Sequence, residues 1–340
     1  MFDPLDPALW PMGADLAWWD SAGQLADGLR PSWATDPVVA RARLRRPLVL
    51  RALALIHAHR TVTTGQLHRL DARLPARPDS LLWRDMIGLG LVDVGFVMSA
   101  TGRWRATPAG VRLMGVRLPT HRTVEPILES LGFTPVETLT VGPAPLRGAR
   151  QYARHNLICT ELSCRFRDVG VRTLGEAWCR FDLMFHDFTA GRGGPDLAVL
   201  RSDGLAVCVE ATASETGLMD KAARWTRLLD GHPDAAIRVV WLDCSAGLDR
   251  ASSVRSKLAR LPGAGGRMRV ADARRWLDGG LGVLDDGTNV LDWDAPGRRR
   301  ADPERWMRRS MGVVAAGFGL DGVAAESWPL PDRLKGGWLA

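Results

Sequence analysis

The stretch that decides the fold runs from Pro195 to Thr212 and reads PDLAVLRSDGLAVCVEAT. Two apolar segments flank Ser202-Asp203-Gly204, a turn sequence whose glycine can adopt the left-handed conformation. The pattern therefore predicts a β-hairpin. If these three residues form the loop, Arg201 pairs with Leu205, and this pairing sets the register of both strands.

Counting outward from that loop places Asp196 opposite Glu210. Directly opposed side chains share a sheet face with Cβ atoms about 4.5–5.5 Å apart, and like charges there are destabilising. Two such carboxylates need a cation, a proton or an arginine between them. A divalent metal held by oxygen ligands meets that need. The alternative is structural: Asp196 belongs to a glycine-rich turn and Glu210 pairs with an arginine.

The order Pro195-Asp196, hairpin, Glu210 resembles the site of the PD-(D/E)XK nuclease superfamily. The resemblance implies that Asp196 and Glu210 bind Mg²⁺ (or Mn²⁺). It also implies a lysine two residues after the glutamate, where this chain has Thr212. The next cation is Lys221, on a helix predicted over 217–229. Lysine is rare here, since only three of the 45 basic residues are lysines.

The segments around the hairpin predict an α/β domain over 151–275 with a mixed central sheet. A helix is predicted at 154–167 and an extended segment at 172–178, ahead of the hairpin. After the 217–229 helix, Ile237–Asp243 is a continuous apolar run typical of a buried strand. A helix at 251–261 and a strand at 268–271 follow. In the nuclease superfamily the first helix often supplies a further acid, so Glu161 is a candidate, and Glu176 on the extended segment is ranked above it.

Residues 41–118 predict three helices followed by a strand at 91–98, a turn at 99–102 and a strand at 103–106. Thr107-Pro108-Ala109-Gly110 is expected to begin another helix. This order resembles winged helix-turn-helix DNA-binding domains, in which the third helix enters the major groove and the hairpin wing touches the backbone. A winged helix used for protein contact is the alternative. The residues expected to contact DNA are Arg45, Arg46, Trp83, Arg84, Arg103 and Arg105.

The remaining segments are less regular. A Trp- and Pro-rich arm covers 1–40, and its tryptophans are expected to pack against a domain rather than stack on bases. A proline-rich linker is predicted over 119–150. An Arg- and Trp-rich tail covers 276–340 and includes the run Arg298-Arg299-Arg300, which is either a solvated surface or an extension of a DNA track. The fold class is thus α+β, a winged helix followed by a PD-(D/E)XK-like α/β domain.

Composition limits the classes of function. The chain has 340 residues and a net charge of +7, an excess that favours a polyanionic partner. Its five cysteines form no C-x-x-C pair and are expected to be reduced core thiols of a cytoplasmic protein. No apolar run approaches the roughly 20 residues of a membrane span. The N-terminus lacks the basic and apolar regions of a secretion signal.

A winged helix joined to a nuclease-like domain resembles the replication-relaxation family of plasmids and other mobile elements. Besides the segments above, the resemblance rests on His155-Asn156-Leu157 at the first core helix. It implies binding of double-stranded DNA during plasmid replication or transfer, with protein partners in such a complex. Three hypotheses follow: a DNA-binding protein that nicks DNA with a divalent metal, a non-catalytic descendant that serves as a DNA-binding platform or regulator, and a pure interaction subunit of a replication or defence complex. In the first, the catalytic set is Asp196, Glu210, Lys221, Glu176 and Glu161.

Overall fold

The computed structural model describes residues 2–10, 16–18, 32, 34–96, 114–117, 121–134, 152–191, 193–213, 217–245, 251–258, 266–294 and 299–309. The chain divides into two compact units. One contains residues 6–160, and the other contains residues 161–307 together with the first five residues. The boundary lies within one helix, Ala153–Asp168, and the second unit continues well beyond position 275. Residues 276–307 therefore belong to this unit instead of forming a separate tail.

Among the residues that the structure describes, the first unit combines five α-helices with a four-stranded sheet. The helices are α1 (Asp36–Leu44), α2 (Arg46–His59), α3 (Thr64–Leu70), α4 (Leu81–Gly88) and α5 (His121–Ser130). The strands are β1 (Ala17–Trp18), β2 (Val62–Thr63), β3 (Asp93–Phe96) and β4 (Met114–Arg117). Their order in the sheet is β1-β3-β4-β2, and every pairing is antiparallel.

Local sequence explains the start of α3. The Thr63 hydroxyl accepts a hydrogen bond from the Gln66 N–H, and the Gln66 side chain accepts one from the Thr63 N–H. This reciprocal capping box satisfies two backbone donors that would otherwise lack partners. Thr63 is the N-cap residue, and the helix ends at Leu70.

The strand β3 has a described neighbour on each side. One edge of β3 pairs with β4, with Val94 opposite Val116, and its other edge pairs with β1 from the N-terminal arm. Both edges are thus filled. The turn at 99–102 and the segment 103–110 lie outside the described residues. The helix expected to begin at 107–110 falls there too, and Met114–Arg117 is a strand.

The arm and the linker also contain regular structure. Trp18 on β1 is 1 % exposed, and the Arg117 guanidinium lies 3.9 Å from the centre of its ring. Trp10 is buried as well. These two tryptophans pack in the protein interior as predicted, while Trp19 and Trp33 lie outside the described residues. The helix α5 occupies part of the segment predicted as a linker.

The second unit is built on a five-stranded mixed sheet. The helices are α6 (Ala153–Asp168), α7 (Phe181–Phe185), α8 (Leu218–Gly231), α9 (Ala251–Leu258) and α10 (Ala273–Leu277). The strands are β5 (Arg172–Gly175), β6 (Leu197–Leu200), β7 (Ala206–Thr212), β8 (Ile237–Asp243) and β9 (Met268–Asp272). Their order is β5-β6-β7-β8-β9, antiparallel from β5 to β7 and parallel from β7 to β9. The predicted α+β class with a mixed sheet is confirmed at this level.

The central hairpin has the predicted register. Leu200 pairs with Ala206 and Leu197 with Val209, and the Arg201 N–H donates to the Leu205 carbonyl over 2.9 Å. Gly204 has a φ of 89°, the left-handed conformation that its turn position requires. All residues of β6 and the first five of β7 are buried. The hairpin is therefore the centre of the core of the second unit.

The five cysteines are all free and buried, which agrees with the prediction of core thiols. In the described part of the chain, no helix combines the length and the apolar character needed to cross a membrane.

Candidate functional site

Asp196 and Glu210 meet at the open end of the hairpin. Strand pairing ends at Leu197 and Val209, and the Asp196 N–H donates to the Val209 carbonyl over 3.0 Å, which holds Asp196 beside the part of β7 that contains Glu210. One oxygen of Asp196 accepts the Ala211 N–H over 2.8 Å. The carboxylate of Asp196 is therefore fixed by the neighbouring strand.

A close backbone approach fixes the position of the glycine-rich segment that precedes Asp196. The Phe181 N–H donates to the Gly193 carbonyl over 2.7 Å, which holds the glycine-rich segment against the start of α7. At Gly194 an added Cβ would lie 1.9 Å from the Cys179 carbonyl oxygen. Only glycine fits there without moving the backbone. The Gly-Gly pair thus has a packing role beside the hairpin.

Lys221 supplies the cation between the two acids. Its Nζ lies 3.8 Å from Asp196 Oδ1 and forms an ion pair with Glu210 Oε2. Lys221 is in the first turn of α8, and its N–H donates to the carbonyl of Gly217, the N-cap residue. The helix therefore brings an ammonium group to the open end of the hairpin.

Trp225 is a partner of Glu210 that the sequence analysis missed. Its Nε1–H donates to Glu210 Oε1 over 2.5 Å, and its ring packs edge-on against Phe181 at 4.7 Å between centroids. Trp225 follows Lys221 by four residues, so both project from the same side of α8. That spacing was the available signal. The alternative in which Glu210 pairs with an arginine does not hold, because its partners here are a lysine and a tryptophan.

The three charged side chains differ in exposure. The side chain of Glu210 is 1 % exposed, that of Asp196 is 12 % exposed, and that of Lys221 is 38 % exposed. Solvent exposure thus increases across the site, from the interior carboxylate of Glu210 to the ammonium of Lys221. A ligand would approach from the side of Lys221 and Asp196.

The electrostatics follow from this arrangement. Burial, together with the charge of Asp196, raises the pKa of Glu210 to about 8 against the lowering effect of Lys221. Burial lowers the pKa of Lys221, but the carboxylates of Asp196, Glu210 and Glu176 outweigh it and raise that pKa above its ordinary value. Lys221 therefore remains protonated at neutral pH. It is a charge stabiliser and hydrogen-bond donor, not a base.

The other two predicted acids occupy different surroundings. Glu176 begins a short 3₁₀ turn, Glu176–Trp178, instead of lying on a strand, and its charge acts on Lys221. Glu161 on α6 is fully buried and forms an ion pair with Arg165 at 3.1 Å. Glu176 is therefore the closer of the two to the hairpin site in its electrostatic effect.

The predicted DNA-contacting residues divide into three groups. Trp83 is fully buried, and its Nε1–H donates to the Pro75 carbonyl over 2.8 Å. The prediction that Trp83 contacts DNA is therefore wrong, because this side chain packs in the core. Arg84 and Arg45 are half-buried. Arg46 is also half-buried and lies 5.0 Å from the centre of the Phe133 ring. Arg103 and Arg105 lie outside the described residues.

The donor set was compared with the needs of a divalent metal. Among the described residues, no three His, Cys, Asp or Glu side chains converge as a ready metal site. Mg²⁺ is commonly held by one or two carboxylates, with waters and substrate phosphates completing its shell. Asp196 and Glu210 provide two such carboxylates. An ion bound there would share Glu210 with Lys221.

Comparisons with known proteins leave the chain without an assigned relative: no family model matches the sequence, and no match was found among curated proteins or among solved structures.

Proposed function

We propose that the chain is a double-stranded DNA-binding protein whose second unit carries a divalent-metal-dependent nuclease site formed by Asp196, Glu210 and Lys221. The observation that carries the proposal is the position of Lys221, whose ammonium contacts Glu210 and lies 3.8 Å from Asp196. A lysine beside two carboxylates at a hairpin end is the residue combination of the PD-(D/E)XK resemblance. Here a helix supplies the lysine instead of the strand.

The order of elements in the second unit supports the nuclease-like part of the proposal. A helix, α6, precedes three antiparallel strands, β5 to β7, and a helix and a parallel strand, α8 and β8, follow. This is the succession expected from the sequence. The acids lie where β7 leaves the buried part of the sheet, because Glu210 is buried while Ala211 and Thr212 are half-buried.

The order of elements in the first unit supports the DNA-binding part. The helices α2, α3 and α4 are followed by β3 and β4, and β2 between α2 and α3 pairs with β4. Three helices and a small antiparallel sheet in this order are typical of winged helices, in which the third helix is the DNA-reading element. On α4, Leu81 is exposed and Arg84 is half-buried, so both side chains reach the surface of this helix.

The chemistry follows from the charges of the site. Asp196 and Glu210 would hold the ion, which when bound supplies positive charge to a phosphoryl oxygen and lowers the pKa of a water molecule. Lys221, held protonated by its acidic neighbours, would stabilise the negative charge that develops on the phosphorus centre. Glu176 adds negative charge that keeps Lys221 protonated. The family resemblance would assign this activity to plasmid replication or transfer in the cytoplasm.

A plasmid-nicking assay tests the proposal. Purified protein is incubated with supercoiled plasmid and Mg²⁺ or Mn²⁺, and conversion to open circles is followed. We expect slow nicking that chelation stops and that Asp196→Asn or Glu210→Gln abolishes. Asp187→Asn is the matched control, since Asp187 is a partly exposed acid of the same unit that pairs with His232 at 3.9 Å. Equal nicking by the wild type and Glu210→Gln would mean contamination.

One observation favours the second candidate, a non-catalytic DNA-binding platform. Both oxygens of Glu210 already have partners, Trp225 and Lys221, so the acid is neutralised within the protein. A platform retains DNA binding without nicking. In that case Asp196→Asn and Glu210→Gln leave DNA affinity unchanged, and adding a divalent ion does not change the DNA affinity of either variant.

A further inference from the structure

A buried arginine without a partner lies on the face of the sheet that is opposite Glu210. Arg238 on β8 is only 6 % exposed, and its Nε and Nη1 have no hydrogen-bond partner among the residues that the structure describes. Glu210 pairs laterally with Trp241, three residues further along β8. Because side chains alternate along a strand, Arg238 and Trp241 point to opposite faces. The nuclease proposal therefore leaves Arg238 without a role.

Neighbouring residues make this position strongly basic. Arg269 pairs with Val240 across β8–β9, so Arg269 and Arg238 share one sheet face. Trp293 covers both, with its ring centre 5.5 Å from the Arg238 guanidinium and 5.8 Å from that of Arg269. Burial together with the charges of Arg267 and Arg269 lowers the pKa of Arg238 to about 10. The protein thus tolerates an unfavourable charge at this place.

The described residues do not neutralise Arg238. Arg267 directs its donors to backbone carbonyls, including those of Leu229 and Ala235. Arg269 is paired with Asp286 at 3.2 Å. Asp294 favours the charged form of Arg238 but is exposed and forms no ion pair with it. The Trp293 ring contributes about 0.5–2 kcal/mol of cation–π attraction to Arg238. This contact does not satisfy the N–H groups of the guanidinium, which point outward in the plane of that group.

We propose that Arg238 is the centre of a phosphate-binding site, formed with Arg269 on this face of the sheet and extended by Arg299. The backbone of Arg299 pairs with Ala235 and Ala236 at the start of β8, and its side chain is exposed. A guanidinium presents its donors in a planar fork that matches the oxygens of a phosphate group. The net charge of +7 favours such an anion. Its source is either a phosphodiester of a nucleic acid or a free phosphate.

Phosphorus-31 line broadening of inorganic phosphate by the full-length protein tests the site, at constant ionic strength with chloride as the balancing anion. We expect saturable binding that Arg238→Met weakens at least about tenfold through loss of the charge-assisted bonds. Without phosphate, Arg238→Met should raise the melting temperature, because it removes an unpaired buried charge. Arg172→Met, an exposed arginine of the same unit, is the matched control and should bind as the wild type does.

The outcomes separate cleanly. Absence of saturable phosphate binding, or binding that persists in Arg238→Met, overturns the proposal. If Arg238→Met fails to fold, Arg238→Lys keeps the charge but loses the fork, and undiminished binding by that variant overturns it as well. Displacement of phosphate by an oligothymidylate assigns the site to phosphodiesters, whereas Arg238-dependent binding without displacement assigns it to free phosphate. Asp196→Asn should leave binding unchanged, so this test is independent of the nuclease proposal.

Discussion

Glu210 is a buried acid between one cation and one indole, and its ionisation should be visible in stability. Its folded pKa of about 8 lies above its ordinary value of 4.5. The folded state therefore retains a proton that the unfolded chain releases in this range. The stabilising contribution is fully present below about pH 4.5 and is lost as the pH rises through 8.

Replacing Glu210 with glutamine should remove this pH dependence. Between pH 5 and 8 we expect the wild type to lose stability relative to Glu210→Gln by on the order of 1 kcal/mol per pH unit. Urea unfolding at several pH values measures the difference. Parallel stability curves for the two proteins would mean that Glu210 titrates normally.

Lys221 should contribute to stability and to activity in separable ways. Lys221→Met leaves Glu210 buried without its cation, which should cost about 1–3 kcal/mol. Adding Glu210→Gln should recover part of that loss, because the two residues act as a pair. Nicking should fall at least about tenfold in Lys221→Met, since one charge-stabilising donor is lost.

Lys257→Met on α9 is the control for Lys221→Met. Lys257 is also a half-buried lysine, so the control makes the same substitution in a similar degree of burial. If both lysine variants unfold at the same urea concentration as the wild type, the ion pair of Lys221 with Glu210 contributes nothing. If nicking is unchanged in Lys221→Met, another group performs its role.

At the scale of elements, the glycine-rich segment before β6 sets the position of Asp196. Gly194→Ala should destabilise the second unit by about 1–3 kcal/mol, because the new methyl group would overlap the Cys179 carbonyl and force the backbone apart. Gly231→Ala is the control, since no atom lies within 4 Å of the Cβ that it would add. Equal unfolding midpoints for the two variants would contradict a close backbone approach at 194.

Sequence patterns were informative where an element is defined by its own residues. The loop Ser202-Asp203-Gly204 determined the hairpin register, and the apolar run Ile237–Asp243 determined β8 at both ends. These inferences succeeded because turn chemistry and burial are local properties. The same reasoning identified Lys221 as the nearest cation to the acids.

Pairing between distant segments was not accessible in this way. No local pattern connects Ala17–Trp18 with β3, or shows that Met114–Arg117 pairs with it on the other side. Trp83 is followed by the charged residues Arg84 and Asp85 in sequence, yet a carbonyl of the preceding loop accepts its N–H, which allows full burial. Such partners are contributed by tertiary structure, and periodicity alone does not identify them.

At the scale of the whole molecule, DNA binding should depend on the first unit. Neutralising Arg84 and Arg103 together should weaken affinity and reduce the slope of log K against log salt by about 2, roughly one for each lost phosphate contact. The paired control is Arg172→Met with Arg227→Met, which removes the same charge from exposed positions of the second unit. Unchanged affinity at low and high salt in the Arg84 and Arg103 variant would favour the protein-contact role of this unit.

The most direct test of the central claim is a Mn²⁺ titration followed by electron paramagnetic resonance of the free ion. The claim predicts one site per chain in the wild type, and loss of that site in the Asp196→Asn, Glu210→Gln double variant. The titration is carried out above pH 8, where Glu210 is ionised in the wild type, because a proton on this acid competes with the ion. A wild type that binds no Mn²⁺ at millimolar concentration, or that binds it as the double variant does, would contradict the claim.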